Sequence, residues 1–272
     1  MLEYLKAVIF GIVEGITEWL PVSSTGHLIL LEEFLHLDVT EEFYELFQVV
    51  IQLGAILAVL GLFFHKLWPF SLKKSEIEKK NTWTLWFKVV VAVLPSAVLG
   101  LLFDDWMDAH LYNHMVVALM LIVYGVAFLL VERRAKAVRI GDVQQIDYRT
   151  ALFIGCFQCL SLIPGTSRSG ATILGALLLG VGRSAGAEFS FFLAIPTMLG
   201  ASALKLAKFL LEGNLPTGNE LVILAVGCVS AFVVSILVIR GLMDFVRKHS
   251  FAPFGIYRIA LGGAVLGWFL LH

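Results

Sequence analysis

The side chains best suited to chemistry crowd into residues 14–27. Glu14 and Glu18 stand four residues apart, one helical turn, and so share a face. Pro21 stops that helix, and Ser23, Ser24, Thr25, Gly26 and His27 follow as a turn. Two carboxylates on one face can hold a divalent cation such as Mg²⁺, which takes a few carboxylates together with substrate oxygens. They can equally carry protons, as in a transporter relay. Ser23 or Ser24 caps the next helix, and either hydroxyl could act as a nucleophile. His27, one turn into that helix, reaches a bound phosphate as acid, base or nucleophile. The bland alternatives are a solvated carboxylate pair, a capping serine and a hydrogen-bonded packing histidine. Against them stands the apolar surrounding sequence, where each polar group costs free energy unless it is paired or used.

A second stretch, residues 164–172, complements the first. Gly165, Ser169 and Gly170 permit a tight turn with exposed backbone N–H groups. Thr166, Ser167, Ser169 and Thr172 offer hydroxyls, and Arg168 is the only charge. A helix follows, so its positive dipole end points into the turn. N–H donors, a helix N-terminus and a guanidinium fork together suit a phosphate. The alternative is a packing turn with Arg168 snorkelling, but Arg168 lies away from both flanking interfaces. Gln48 and Gln52, a turn apart, line a cavity or bond between helices.

The elements that must hold these stretches are membrane helices. Of 272 residues 59% are hydrophobic and 15% charged, against about 25% charged in a soluble domain; the mean hydropathy is +0.88. The net charge of −1 excludes a basic nucleic-acid footprint. Cys156, Cys159 and Cys228 sit in apolar runs and read as packing residues; the isolated C-x-x-C is a poor zinc site. Residues 1–6 lack a basic n-region and a cleavage site, so the N-terminus is expected to be retained. Residues 4–20 and 25–36 are too short to span about 30 Å of hydrocarbon, as are 150–163 and 170–182. Each pair reads as a helical hairpin that enters and leaves by one side. Full spans are predicted over 42–64, 83–103, 115–131, 188–211, 221–239 and 254–271, with Pro95 and Pro196 inside two of them.

The halves repeat. A shift of 144 superposes Ala7 on Ala151, Gly11 on Gly155, Glu14 on Gln158 and Gly26 on Gly170; a shift of 146 superposes Glu42-Phe43 on Glu188-Phe189. The sequence therefore predicts an all-α polytopic membrane protein with an inverted-topology repeat, each half one re-entrant hairpin plus three transmembrane helices. It forms a single membrane domain, 1–272, with halves at about 1–131 and 150–272 joined by a cytoplasmic loop, 132–149. Lys and Arg gather in residues 65–88, in 132–149 (Arg133, Arg134, Lys136, Arg139, Arg149) and in a turn near 240–249 (Arg240, Arg247, Lys248). Residues 31–45 and 103–114 hold acids and neither base. Positive-inside logic puts the basic segments in the cytoplasm and both termini outside. The two tips, 21–27 and 164–170, then meet near the midplane.

Both stretches resemble the signature motifs of bacterial undecaprenyl pyrophosphate phosphatases of the bacitracin-resistance type. The likeness extends to residues 47–54, 155–160 and 188–191, with no departure at a motif position. The resemblance implies a phosphatase of the bacterial cytoplasmic membrane that converts undecaprenyl diphosphate to the monophosphate carrier used in cell-wall synthesis. It implies Glu14 and Glu18 in an acidic motif, Ser24 and His27 in a serine-histidine tip, and Ser167, Arg168 and Thr172 at the phosphate. It also implies a divalent cation (Mg²⁺, with Ca²⁺ possible), a homodimer, and a site open to the outer face. On this reading Glu14 and Glu18 hold metal. Ser23, Ser167, Arg168, Ser169, Gly170 and Thr172 bind phosphate, and Glu18, Ser24, His27 and Arg168 act on it. Ser24, His27 and water remain open as nucleophile. The rival class is an ion-coupled or lipid-carrier transporter of inverted-repeat fold, which does not need Arg168 in its glycine-serine turn. A purely structural subunit leaves both tips unexplained.

Overall fold

In the computed structural model, residues 1–134 and 137–271 are described, except the side chains of Asp104, Asp105 and Asp108. Lys136, one of the basic loop residues, lies outside the described residues. Six helices are long and apolar enough to cross a membrane: α3 (Glu41–Leu62), α5 (Glu76–Leu111), α6 (His114–Arg133), α9 (Arg183–Leu211), α10 (Gly218–Lys248) and α11 (Ala252–Leu271). The shorter helices are α1 (Leu2–Thr17), α2 (Ser24–Phe34), α4 (Phe64–Leu67), α7 (Tyr148–Cys159) and α8 (Arg168–Leu178). Among the described residues an isolated bridge between Ile140 and Val181 is the only β pairing. The chain is an all-helical, multi-pass membrane protein.

Two sequence expectations need correction. Lys79 and Lys80 fall in the basic segment before the span predicted at 83–103, yet α5 starts at Glu76, where Ser75 and Glu78 form a reciprocal capping box. Likewise Arg240, Arg247 and Lys248 lie on the last turns of α10 and not in a turn. At about 1.5 Å per residue α5 and α10 are about 54 and 46 Å long, so their apolar spans continue as helix beyond the hydrocarbon thickness. The hydropathy pattern marks where the membrane stops, and capping marks where the helix stops.

Close packing follows from small residues. A Cβ on Gly11 would lie 2.4 Å from the Gly227 carbonyl oxygen, and one on Gly155 would lie 2.0 Å from that of Ala92. Glycine thus lets α1 run directly against α10, and α7 against α5.

The order of contacts fixes which ends of the helices lie together. Tyr4 pairs with Asn219 at 2.6 Å, and Gly11 and Gly15 meet Gly227 and Ala231, so α1 and α10 run parallel. Residues just past the end of α2 return to the start of α1: Lys6 Nζ donates to the His36 oxygen at 2.6 Å, and the Asp38 N–H donates to Glu3 at 2.9 Å. The second pair of short helices begins and ends at the other end of the bundle. There Lys88 reaches the Gln144 carbonyl at 2.9 Å, and the Arg139 N–H reaches that of Gly180 at 2.9 Å. Between them α3 and α9 run antiparallel, from the Glu45–Lys205 ion pair to Lys66–Glu188 at 2.6 Å.

Candidate active site

The first tip begins where α1 ends. Glu18 caps that helix, its N–H still bonded to the Glu14 carbonyl at 3.0 Å, so both carboxylates keep helical spacing. Ser23 is the N-cap of α2, its Oγ accepting from the Gly26 N–H at 3.4 Å. Ser167 is the N-cap of α8, its Oγ accepting from the Gly170 N–H at 3.0 Å. These serines, 144 residues apart, are the non-glycine residues with positive φ among those described, at 74° and 73°. Such backbone costs about 1–3 kcal/mol at each position and persists where its surroundings over-determine it. Both turns start a helix, so two positive dipole ends are available for an anion.

With Ser23 committed to the cap, the Ser24 hydroxyl is free to turn inward, where it donates to Glu18 Oε2 at 2.8 Å. Glu18 Oε1 accepts from Arg168 Nη2 at 2.9 Å, with both side chains over nine-tenths buried. The carboxylate expected on metal and the guanidinium expected on phosphate therefore hold each other. Arg168 Nη1 donates to the Ser190 carbonyl at 2.7 Å, and the guanidinium lies over the Trp19 ring at 5.7 Å. Acid, hydroxyl and guanidinium form one buried chain across the two tips.

The other expected phosphate groups have partners inside the protein. Ser169 Oγ lies 3.0 and 3.2 Å from the carbonyl oxygens of Glu18 and Leu20, tying the tips together. Thr172 Oγ1 sits 2.7 Å from Ser190 Oγ and donates back within α8. Gly170 and Ser167 serve the cap just described. Arg168 is thus the one charged side chain of this tip, and the tip's hydroxyls hold the frame.

His27 is brought to neither Ser24 nor Glu18 by a hydrogen bond. Its Nδ1 lies 2.7 Å from the Ser23 carbonyl, which can only accept, so Nδ1 carries a proton. In the neutral ring Nε2 then accepts from the Tyr257 hydroxyl at 2.7 Å, the two rings lying 6° from parallel. The neutral tautomer is fixed by its partners.

Glu14 is fully buried, and neither of its carboxylate oxygens has a hydrogen-bond partner among the described residues. An orphaned buried carboxylate beside Glu18 fits a cation or a proton; no cluster of three or more His, Cys, Asp or Glu occurs among the described residues. Mg²⁺ suits so small a donor set, since it takes one or two carboxylates with substrate oxygens. At the matching position Gln158 donates to Ser96 at 2.6 Å and Thr197 at 3.1 Å.

Sequence reading missed Tyr257, Ser190 and above all Arg258. Fully buried on α11, Arg258 donates to the carbonyls of Pro21 (3.1 Å), Gly165 (2.8 Å) and Thr166 (2.9 Å). It also reaches Met120 and Leu121 on α6. One guanidinium therefore staples both tips. A charge inside the apolar run 254–271 was the available signal. Gln48 lines a cavity of about 380 Å³ together with Glu45, Tyr112 and Lys205.

The chain also has close relatives. A family model described as "Bacitracin resistance protein BacA" matches residues 7–264. Similar proteins named "Undecaprenyl-diphosphatase" include one from Enterococcus faecalis, 57% identical over 97% of both chains. Another, from Limosilactobacillus fermentum, is 57% identical over 100% of this chain and 99% of its own. One from Streptococcus mutans is 56% identical over 99% and 97%. With both tips inside the matched region, the chain belongs to the bacitracin resistance protein BacA family.

Proposed function

We propose that the chain hydrolyses undecaprenyl diphosphate to undecaprenyl phosphate and inorganic phosphate, recycling the lipid carrier of wall synthesis and so giving bacitracin resistance. Family membership and the names of its relatives support the substrate. One observation carries the mechanism: Glu18 accepts at once from the Ser24 hydroxyl and from Arg168. Ser24 Oγ attacks the terminal phosphorus as its proton passes to Glu18. The new Oγ–P bond replaces the P–O bond to the leaving prenyl monophosphate. Arg168, released from Glu18 as that carboxylate is protonated, binds the transferring phosphoryl oxygens, aided by the helix N-termini. Water then cleaves the phosphoserine, returning the proton to Ser24 by way of Glu18. His27, held against Tyr257, stands outside this chain and orients the substrate or the water.

A divalent cation, held by Glu14 and Glu18, supplies charge neutralisation for the diphosphate when bound. The protein's own part there is to keep the unpartnered Glu14 carboxylate buried next to the reacting groups. Cation transport has no use for the Ser24–Glu18–Arg168 chain, which favours the enzyme over a carrier.

We also infer that α1–α2 and α7–α8 are re-entrant hairpins in inverted halves. Support comes from the ends to which each pair returns and from the matched serines and glycines. Lys and Arg concentrate at the end holding residues 65–80 and 132–149, which supports a cytoplasmic position for that end, with both termini and the site facing outward. A homodimer in the bacterial cytoplasmic membrane completes the proposal, tested by cross-linking in membranes.

The test is phosphate release from a long-chain prenyl diphosphate by purified protein with Mg²⁺ or Ca²⁺. Release abolished in Arg168→Ala and Glu18→Ala, with an acid-stable phosphoenzyme trapped in the wild type, is the expected result. A wild type that releases nothing sinks the enzyme reading, and an acid-labile adduct moves the nucleophile to His27.

A further inference from the structure

A cavity of about 490 Å³ opens at the basic end of the bundle, where α6 ends, α9 begins and the turn after α8 closes. Among the described residues its charged lining is three guanidiniums, Arg134, Arg183 and Arg247, against one carboxylate, Glu132. Glu132 is already engaged within the protein. Its Oε1 accepts from Arg183 Nε at 3.0 Å and from the Phe251 N–H at 2.8 Å, and its Oε2 accepts from Arg183 Nη2 at 2.5 Å. Arg134 and Arg247 are therefore not neutralised by it. Arg247 has Asp244 at 3.3 Å, but both side chains are well exposed, and such pairs contribute little. A neighbouring cavity of about 420 Å³ also meets Arg247 and adds Lys66 and Arg240 against Glu188, which pairs with Lys66, and Asp244, which pairs with Arg247, leaving Arg240 in excess. The positive region continues across both. The first cavity is also lined by the aliphatic Val131, Val138, Leu177, Val181 and Val246.

Cationic groups and aliphatic surface lining one cavity, at the end of membrane helices, select an amphiphile with an anionic head. Charge narrows the head group. The two guanidiniums outside the Glu132–Arg183 pair, Arg134 and Arg247, match a phosphomonoester, which carries about −1.5 to −2 near neutral pH, better than a singly charged phosphodiester. The guanidinium fork suits terminal phosphate oxygens. We propose that this cavity binds the head of a phosphomonoester lipid, with the chain lying along its aliphatic lining. Seven residues of α9, about 10 Å, separate Arg183 from Ser190, the partner of Arg168, so this is a second site and not the catalytic one. The proposal needs the membrane fold and is independent of how hydrolysis proceeds; the prenyl monophosphate released by hydrolysis belongs to the class it selects.

The test uses full-length protein in nanodiscs and a photoreactive long-chain prenyl monophosphate, with adducts mapped by peptide mass spectrometry. Adducts are expected on the peptides holding Leu177 to Val181 and Val246, as well as at the catalytic tips. Arg134→Gln with Arg247→Gln should reduce the first set about tenfold or more, as expected for losing charge-assisted contacts worth one decade or more in affinity, and leave the catalytic-tip set in place. If that variant melts early, Arg247→Gln alone, at an exposed side chain, should still reduce it about threefold. Unchanged labelling at 177–181 and 246 in the variants overturns the proposal. Suppression by phosphatidylglycerol as strong as by unlabelled monophosphate overturns the monoester assignment, and equal suppression by inorganic phosphate assigns the cavity to the free ion. Because labelling needs no turnover, an inactive protein that still labels here separates this site from the proposed hydrolysis.

Discussion

Glu18→Gln keeps the shape of the side chain and removes its charge, which isolates the ion pair with Arg168. At 2.9 Å and an effective dielectric near 20, the attraction is about 6 kcal/mol. Desolvation of two nearly buried ions consumes much of that. Breaking such a pair from one side costs about 3–5 kcal/mol, because the surviving charge is left uncompensated. Arg168 would keep the Ser190 carbonyl at 2.7 Å and its hydroxyl at 3.2 Å, so the lower figure, about 3 kcal/mol, applies. Arg168→Met leaves Glu18 with Ser24 alone and should cost as much. The double variant Glu18→Gln/Arg168→Met orphans neither charge, so it should be less damaged than either single. With each single at about 3 kcal/mol and the double below that, the expected coupling is at least about 3 kcal/mol. Thermal unfolding in one detergent reads this, at about 2–4 °C per kcal/mol for a chain of this length: losses of about 6–12 °C in each single, partly restored in the double. Phosphate release should stay abolished in all three. Single-variant losses that add within about 0.5 kcal/mol would refute the coupling, and turnover in the double variant would refute the catalytic role.

Three further outcomes are expected. Tyr257→Phe keeps the ring beside His27 but removes the donor to Nε2, and should lower kcat about tenfold, less than the 10²–10⁴ of a lost general acid-base group; steady-state kinetics on prenyl diphosphate check it. Ser23→Gly relieves a positive φ worth about 1–3 kcal/mol and forfeits only a few tenths from the cap, so the melting temperature should rise. Gly54→Ala drives a Cβ to 2.1 Å from the Cys228 carbonyl oxygen and should cost at least about 1–3 kcal/mol by overpacking. Gly61→Ala on the same helix meets nothing within 4 Å and should gain about 0.5–1 kcal/mol. The contrast in melting temperature decides between close packing and general helix propensity.

Much of this arrangement was legible in the residues, for reasons that can be named. Six apolar runs gave six spanning helices, because hydrocarbon thickness fixes their length. Short runs on either side of Pro21 and Pro164 gave the two paired short helices. Their ends were not legible, since Ser75 and Asp244 belong to capping and charge pairing that hydropathy ignores. Glu14, Glu18, Ser24 and Arg168 stood out as polar groups in apolar sequence, and the structure gathers the last three into one chain. Which hydroxyl does what was not legible. Ser23 and Ser24 are adjacent and chemically alike, and only the positive φ of Ser23 sends one to the helix cap and the other to Glu18. Arg258 was missed by attending to motifs; its five carbonyl acceptors lie on three separate segments, and no spacing rule connects them.

The two tips share a backbone and differ in chemistry, and the difference is what makes a site. Ser23 and Ser167 take the same φ and cap through the glycine three residues on. Two identical tips would set two carboxylates or two guanidiniums face to face, and like charges in a buried space exclude each other. Here one tip carries Glu18 and the other Arg168, so the frame closes on an attractive pair. The same division holds one turn back. Gln158 is neutral and spends its amide on Ser96 and Thr197, whereas Glu14 in the matching place is charged when ionised and has no partner among the described residues. The second half thus supplies fixed structure where the first supplies an unsatisfied acid. An unsatisfied buried carboxylate is costly in a resting protein, and it is tolerable here because a cationic ligand, or a proton, completes it.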